Sequence, residues 1–375
     1  MSKLFFLAAG GTGGHLFPAF ALAQELNRRG HTVDLVTDAR GDRYGSDFPA
    51  RHTHRIAAAT FKGRSLQSVG AVFKLLKGIA ASHLLFGKHN PAAIIGFGGY
   101  PTFPPLAAAV LRRVPRAVHE QNAVMGRANR TLAPRMTAVA TSFENTRLLD
   151  GIAPERIRVT GNPVRDVVIA LHGRPYQPSG GDQEFRLVVF GGSQGARYFS
   201  DTVPPAIAAL PENLRQRLTI VQQCREEDLE RVDNAYKSAG ARAELAAFFT
   251  DLPDQIARSH LVIGRSGASS VTELAVLGRP SILVPLPHAL DNDQLRNATQ
   301  LADSGGAWCV GQSALDAAAL AARLEEVMTN PEMLARAAEA AAGQGRPDAV
   351  MKLADLAEEL AAGAREGASG VRRAP

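Results

Sequence analysis

Leu4-Phe5-Phe6-Leu7-Ala8-Ala9 runs into Gly10-Gly11-Thr12-Gly13-Gly14-His15, and Leu187-Val188-Val189-Phe190 runs into Gly191-Gly192-Ser193-Gln194-Gly195-Ala196. Each is a short apolar run, a glycine-rich turn and a helix-compatible stretch, the arrangement by which an α/β domain offers backbone N–H groups at a helix N-terminus to a phosphate. Two such openings, half a chain apart, predict two phosphate-facing domains.

Around the first opening, strand-like runs alternate with helical patterns: His31 to Thr37, Ala92 to Ile95, Arg116 to His119 and Ala138 to Ala140. Around the second the alternation resumes at 186–190, 219–221, 261–263 and 281–284. Both halves therefore read as βαβ units on mainly parallel sheets. The Pro/Gly-rich stretch Gly173 to Gly181 interrupts the pattern. The division predicted is 1–164 as one domain, 165–185 as a linker that permits domain closure, 186–340 as the second domain, 341–362 as a C-terminal helix packing back on the first domain, and 363–375 as a flexible tail.

At 375 residues the chain is long enough for two cores. It opens Met1-Ser2-Lys3 directly into a strand-like run, without the pattern of a secretory signal. Its two cysteines, Cys224 and Cys309, fall in no C-x-x-C pair, which argues against a zinc site or a disulfide framework and for a cytoplasmic setting. The net charge of +6 hides an asymmetry: residues 1–164 hold 21 Lys/Arg against 9 Asp/Glu, while residues 165–375 hold 21 against 27. A basic first half suits an anionic surface or substrate. Nucleic acid is disfavoured as a partner, because the basic residues are scattered and lack interleaved aromatics.

Leu66 to Phe86 is an apolar segment with Lys74 and Lys77 inside it and Lys88 just beyond. Lysines in mid-segment argue against a membrane span. Two readings remain, an interfacial helix on anionic lipid and a helix packed on the sheet, and they are compatible on different faces.

Neither glycine turn is a dinucleotide fingerprint, since G-x-G-x-x-G counted from Gly11 ends at Leu16, and neither ends in Gly-Lys-Ser/Thr. What remains is a diphosphate cradle without a lysine and without an evident metal or cofactor. A third turn, Gly96-Phe97-Gly98-Gly99-Tyr100, also follows a strand. Ligands of open α/β sheets bind beyond the carboxyl ends of the strands, so these turns are predicted to line one crevice. Arg265-Ser266-Gly267-Ala268-Ser269-Ser270-Val271-Thr272-Glu273 follows another strand, with Glu273 a turn inside the helix and able to accept from vicinal hydroxyls.

These motifs, together with His119-Glu120-Gln121-Asn122 and Gly161-Asn162-Pro163-Val164-Arg165, occur in the order that marks one family. The chain resembles the bacterial UDP-N-acetylglucosamine:undecaprenyl-diphospho-muramoyl-pentapeptide N-acetylglucosaminyltransferases, which form lipid II in peptidoglycan synthesis, and the likeness runs from residue 4 to about residue 300. The resemblance implies a GT-B fold, two Rossmann-like doubly wound parallel-sheet domains facing a central cleft. It places the lipid I acceptor on the first domain and the UDP-sugar mostly on the second. It also implies a peripheral enzyme on the cytoplasmic face of the inner membrane, with the 66–86 segment in its docking patch and other cell-wall synthesis proteins as further partners.

Carried over by motif, the resemblance puts Thr12, Gly13 and Gly14 near the donor sugar and diphosphate, Asn122 on the N-acetylglucosamine, and Arg165 and Ser193 near the UDP. It puts Ala268, Ser269, Ser270, Val271, Thr272 and Glu273 around the diphosphate and ribose, Gln294 on the sugar hydroxyls, and Gly98, Gly99 and Tyr100 on the acceptor diphosphate. One departure stands out: many relatives have His or Gln before that glutamine, and this chain has Asp293. The implied reaction is a metal-independent inverting displacement. His15 is the candidate general base and Glu120 the alternative; a capping role for His15 remains open. A UDP-N-acetylglucosamine 2-epimerase of the same fold and a non-catalytic nucleotide-sugar-binding protein are the competing readings.

Overall fold

The structure is a computed structural model that describes residues 2–10, 13–38, 48–58, 67–192 and 195–369. Thr12, Ser193 and Leu66 lie outside the described residues. The chain divides into two compact units, Met1–Arg165 with Asp348–Pro375, and Asp166–Pro347.

The first unit carries strands β1 (Leu4–Ala8), β2 (Thr32–Thr37), β3 (His52–Arg55), β4 (Ala93–Gly96), β5 (Arg116–Glu120), β6 (Ala138–Thr141) and β7 (Ile157–Val159). They form one parallel sheet in the order β3-β2-β1-β4-β5-β6-β7. Its helices are α1 (Gly13–Arg28), α2 (Gln67–His89), α3 (Phe103–Leu111) and α4 (Arg127–Leu132). Strand β1 explains why its sequence is apolar at every position: Phe5 and Leu7 enter one core, Phe6 and Ala8 the other, because helices cover both faces of the sheet.

The second unit repeats the plan. Strands β8 (Phe185–Phe190), β9 (Leu218–Gln223), β10 (Arg242–Ala246), β11 (Leu261–Gly264), β12 (Ser281–Leu283) and β13 (Ala307–Cys309) pair in parallel, in the order β10-β9-β8-β11-β12-β13. Helices α5 (Asp166–Ile169), α6 (Arg197–Ala208), α7 (Glu212–Arg217), α8 (Leu229–Ser238), α9 (Leu252–Ala257), α10 (Ala268–Leu277), α11 (Asp293–Asp303), α12 (Ala317–Met328) and α13 (Pro331–Gly343) surround them. In each unit the strand order reverses beside the first strand, between β1 and β4 and between β8 and β11. This is the switch point where the connections leave to opposite sides and open a crevice at the carboxyl ends.

Two boundaries differ from the sequence reading. The 165–185 stretch, read as a linker, belongs largely to the second unit: residues 166–169 are helical, the Tyr176 hydroxyl donates to the His260 carbonyl (2.8 Å), and Arg217 donates to Ser179 Oγ (3.1 Å). The final helix, α14 (Ala349–Ser369), starts after Pro347 and runs past the point where the tail was predicted to begin; residues 370–375 lie outside the described residues. It rests on the first unit, where Leu353, Ala354, Leu356, Ala357, Leu360 and Ala361 join the core formed by β1 and α1.

Candidate active site

In the first unit three turns converge at the β1/β4 switch point. Phe97 N–H donates to the Ala8 carbonyl (2.8 Å), which ties the turn after β4 to the end of β1. The buried Thr102 hydroxyl closes the same turn, at 2.6 Å from the Gly98 carbonyl and 3.2 Å from that of Ala8. Gly98 and Gly99 have φ of +89° and +75°, conformations that an L side chain resists. A β-carbon on Gly98 would stand 3.4 Å from His15 Nε2 and 3.3 Å from Asn129 Nδ2; one on Gly99 would stand 3.6 Å from His15 Cε1. The His15 imidazole, in the first turn of α1, therefore lies directly against the Gly98–Gly99 backbone.

Beside it, Glu120 is buried and both carboxylate oxygens are engaged. Oε1 accepts from the Asn122 backbone N–H (3.0 Å) and from Asn122 Nδ2 (3.1 Å); Oε2 accepts from the Gly126 N–H (2.9 Å) and from Asn129 Nδ2 (2.8 Å). Burial raises the pKa of this carboxyl and the four hydrogen bonds oppose that rise. The carboxylate thus organises the loop after β5 and orients Asn122. Arg165 sits with its guanidinium 4.3 Å from the centre of the Phe17 ring on α1, a cation–π contact that sets the arginine beside the helix bearing His15.

His119, on β5, is fully buried, with Nε2 2.9 Å from the Gly161 carbonyl and Nδ1 3.0 Å from Gln121 Nε2. Its neutral form is the one this environment accepts, with the Nε2 proton on the Gly161 side, and burial pushes its pKa down to about 4. The unfolded chain takes up this proton near pH 6.5 and the folded chain only near 4, so the folded state loses up to about 3 kcal/mol as pH falls across that window. Urea denaturation between pH 4 and 7 checks this: His119→Asn is expected to flatten the acid slope relative to the parent, and an unchanged slope assigns it to other groups.

The second unit carries a glycine turn of its own. Gly191 admits no side chain, because a β-carbon there would fall 2.2 Å from Ala196 N. Gly192 and Gly195 have φ of +82° and +66°, and the turn delivers the chain into α6. Across the switch point, α10 begins after Gly267 with no side chain capping its first N–H groups. The Ser269 hydroxyl is buried there with no hydrogen-bond partner among the described residues. Open N–H groups and a buried hydroxyl without a partner suit an anionic oxygen. Glu273 is buried in the second turn of the same helix, and the Thr272 hydroxyl donates back to the Ala268 carbonyl (2.8 Å).

Arg265 faces inward: it donates to the Val284 and Pro285 carbonyls (3.1 Å each) and to Gln312 Oε1 (2.7 Å), between the rings of Tyr198 and Phe199. It is a clamp under the site. Gln294, at the start of α11, accepts from the Leu286 N–H through Oε1 (3.0 Å), and its carbonyl accepts from the Ser266 hydroxyl (2.8 Å).

The predicted site residues accordingly fall into two groups. Gly13, Gly14, His15, Gly98, Gly99, Tyr100, Glu120, Asn122 and Arg165 gather in the first unit, and Ala268 to Glu273 with Gln294 in the second. Motif reading missed Asn129, Thr102 and Phe17, which hold the first group in place. Thr102 and Phe17 lie just beyond the glycine motifs, but nothing local marks their role, and only their contacts reveal them.

Two family models match the chain: the glycosyltransferase family 28 N-terminal domain over residues 5–141 and the C-terminal domain over residues 186–357. A protein of Chelativorans sp. (strain BNC1), named UDP-N-acetylglucosamine–N-acetylmuramyl-(pentapeptide) pyrophosphoryl-undecaprenol N-acetylglucosamine transferase, is 53% identical over 362 residues, 96% of either chain. The crystal structure of Acinetobacter baumannii MurG superposes with a TM-score of 0.77 at 29% identity, covering 95% of this chain and 99% of that one. A UDP-GlcNAc 2-epimerase from Neisseria meningitidis superposes at 0.67 with 14% identity, over 95% and 99% of the two chains, a likeness of fold alone. The chain belongs to glycosyltransferase family 28 and, within it, to the UDP-N-acetylglucosamine–N-acetylmuramyl-(pentapeptide) pyrophosphoryl-undecaprenol N-acetylglucosamine transferases.

Proposed function

We infer that the protein transfers N-acetylglucosamine from UDP-N-acetylglucosamine to the C4 hydroxyl of the muramoyl unit of lipid I, forming lipid II. The observation that carries the catalytic reading is the His15 imidazole held against the Gly98–Gly99 turn. His15 takes the proton of the attacking hydroxyl, the oxygen bonds to C1 of the α-linked sugar, and the C1–O bond to the diphosphate breaks with its electron pair leaving on UDP. The product is a β-1,4 linkage. Negative charge developing on the leaving diphosphate is met by the open N-terminus of α10 and the Ser269 hydroxyl. Glu120 acts through Asn122 as a positioning residue, since accepting a substrate proton would break the bonds that hold its loop.

The test is incubation with radiolabelled UDP-N-acetylglucosamine and a short-chain lipid I analogue in EDTA. Label entering the lipid with one UDP released per transfer is expected. UDP release that ignores the acceptor, or interconversion of the donor sugar, overturns the reading.

The same reading puts the first unit on an anionic bilayer face. Helix α2 buries Gly78, Ser82 and Phe86 in the unit and leaves Val72, Phe73, Leu76 and Leu84 exposed beside Lys74, Lys77 and Lys88, with Leu111 of α3 also exposed. By length and composition Gly70–His89 passes for a membrane span, but a helix with one side in a folded core lies on the surface of its unit. Co-sedimentation with anionic vesicles and not with zwitterionic ones is the check.

A further inference from the structure

The turn from α3 into β5 puts an arginine where the backbone favours a glycine. Arg113 has φ of +56°, just past the end of α3; its N–H donates to the Val110 carbonyl (3.2 Å) and the Val114 N–H donates to the Ala109 carbonyl (3.0 Å). Its side chain is exposed and, among the described residues, pairs with no carboxylate. Arg116 opens β5 with its guanidinium already oriented: Nε donates to the Arg135 carbonyl (2.9 Å) and Nη1 to the Val114 carbonyl (2.8 Å), so Nη2 is the donor left over. Beside it, Arg156 Nη2 donates to the Ala133 and Met136 carbonyls (2.7 and 2.5 Å). Backbone oxygens orient these two guanidinium groups without cancelling their charge. Burial lowers the pKa of Arg116, and the positive charge of Arg156 adds to the fall. Elsewhere the chain supplies its arginines with acids: Arg29, Arg231, Arg258 and Arg323 each reach a carboxylate oxygen at 2.6–2.7 Å.

Arg113 and Arg116 line a cavity of about 670 Å³. Pro115 and Leu360 give it an apolar wall, Thr137 a hydroxyl, and Glu359 of α14 the one carboxylate among the described residues that line it. Glu359 is 67% exposed and stands 4.0 Å from Arg158, so it leaves the two arginines uncompensated. The cavity lies at the amino ends of β5 and β6, while Glu120 at the carboxyl end of β5 belongs to the candidate active site; four residues of strand, about 13 Å, separate the two places.

We propose that this cavity is a second ligand site, for a phosphate monoester. Arg113, Arg116 Nη2 and the Thr137 hydroxyl are three donors for the three terminal oxygens of such a group, and two cations match its double charge. Pro115 and Leu360 pack against the carbon body of the ligand. A phosphodiester offers two terminal oxygens and one charge, and fits less well. The same monoester is carried by a soluble phosphorylated molecule and by the headgroup of phosphatidic acid.

Calorimetric titration of the full chain with glycerol 3-phosphate, with UDP saturating so that the candidate active site is occupied, tests the soluble source. Co-sedimentation with phosphatidic acid vesicles, against phosphatidylglycerol vesicles of equal surface charge, tests the lipid. Arg113→Glu is expected to weaken monoester binding at least about 10-fold, with the urea midpoint of the chain unchanged. Glu359→Gln is expected to strengthen it about 2- to 5-fold. Arg336→Glu, which makes the same charge change on exposed α13, is expected to leave it unaltered. Saturable binding of glycerol 3-phosphate identifies a soluble ester as the ligand; binding confined to phosphatidic acid vesicles, lost in Arg113→Glu and kept in Arg336→Glu, identifies the headgroup. Equal effects of Arg113→Glu and Arg336→Glu, equal binding to the two kinds of vesicle without binding of glycerol 3-phosphate, or no binding in either arm overturns the proposal.

Discussion

Replacing His15 by alanine is expected to lower kcat by about two to four orders of magnitude, the usual worth of a positioned general base, while UDP-N-acetylglucosamine binding stays within a few-fold. The imidazole rests on Gly98 and Gly99, whose positive φ lets the backbone approach it without a side chain between them. Loss of the base leaves the α10 N-terminus and the Ser269 hydroxyl intact, since they belong to a different unit. Steady-state kinetics with the lipid I analogue, together with donor titration, separates the two effects. If kcat survives, His15 serves the turn as a structural prop; if binding collapses with kcat, it acts on the donor. Glu120→Gln supplies the contrast: it removes the carboxylate that accepts from Asn122, Gly126 and Asn129, so it is expected to lower stability together with activity.

Deleting α14 is expected to prevent the first unit from folding. Leu353, Ala354 and Ala357 are fully buried, and Leu356, Leu360 and Ala361 nearly so, in the core that also holds Phe5, Leu7, Leu16 and Leu22. One large-to-small change here, Leu353→Ala, is expected to cost about 2–5 kcal/mol. Removing all six side chains exceeds the ~5–15 kcal/mol by which a domain is ordinarily stable. Ionic contacts also tie α14 down: Arg29 to Asp355 (2.6 Å) and Glu358 (2.8 Å), and His31 to Glu358 (2.7 Å). The carboxylates on α14 are substantially exposed, and pairs with such a partner contribute no more than about 1 kcal/mol. Urea denaturation of Leu353→Ala beside Glu358→Ala decides between the two terms. A larger loss for Glu358→Ala would show that charge, not burial, holds the helix.

Both Rossmann-like units were legible from the chain alone, because a strand covered on both faces must be apolar at successive positions and the glycine turn after it leaves a local mark. The same locality exposed the glycines at 10–14, 96–99 and 191–195 and the Ser-rich start of α10. Short-range rules do not reach contacts between residues far apart in sequence. The docking of α14 on α1, more than 300 residues away, is such a contact. So is the attachment of residues 166–185 to the second unit through Tyr176 and Ser179. Helix α2 shows the division within one element: its apolar composition was readable, while the choice of buried and exposed faces was made by its packing against α3. Glu120 shows it within one residue. A carboxylate after a strand reads as a candidate base, and only the fold shows it buried with Asn122, Gly126 and Asn129 closed around it. The sequence by itself determined the two domains, their glycine turns and the family; the tertiary structure decided which polar groups are spent on holding the frame, since burial and partner geometry are properties of the packed chain.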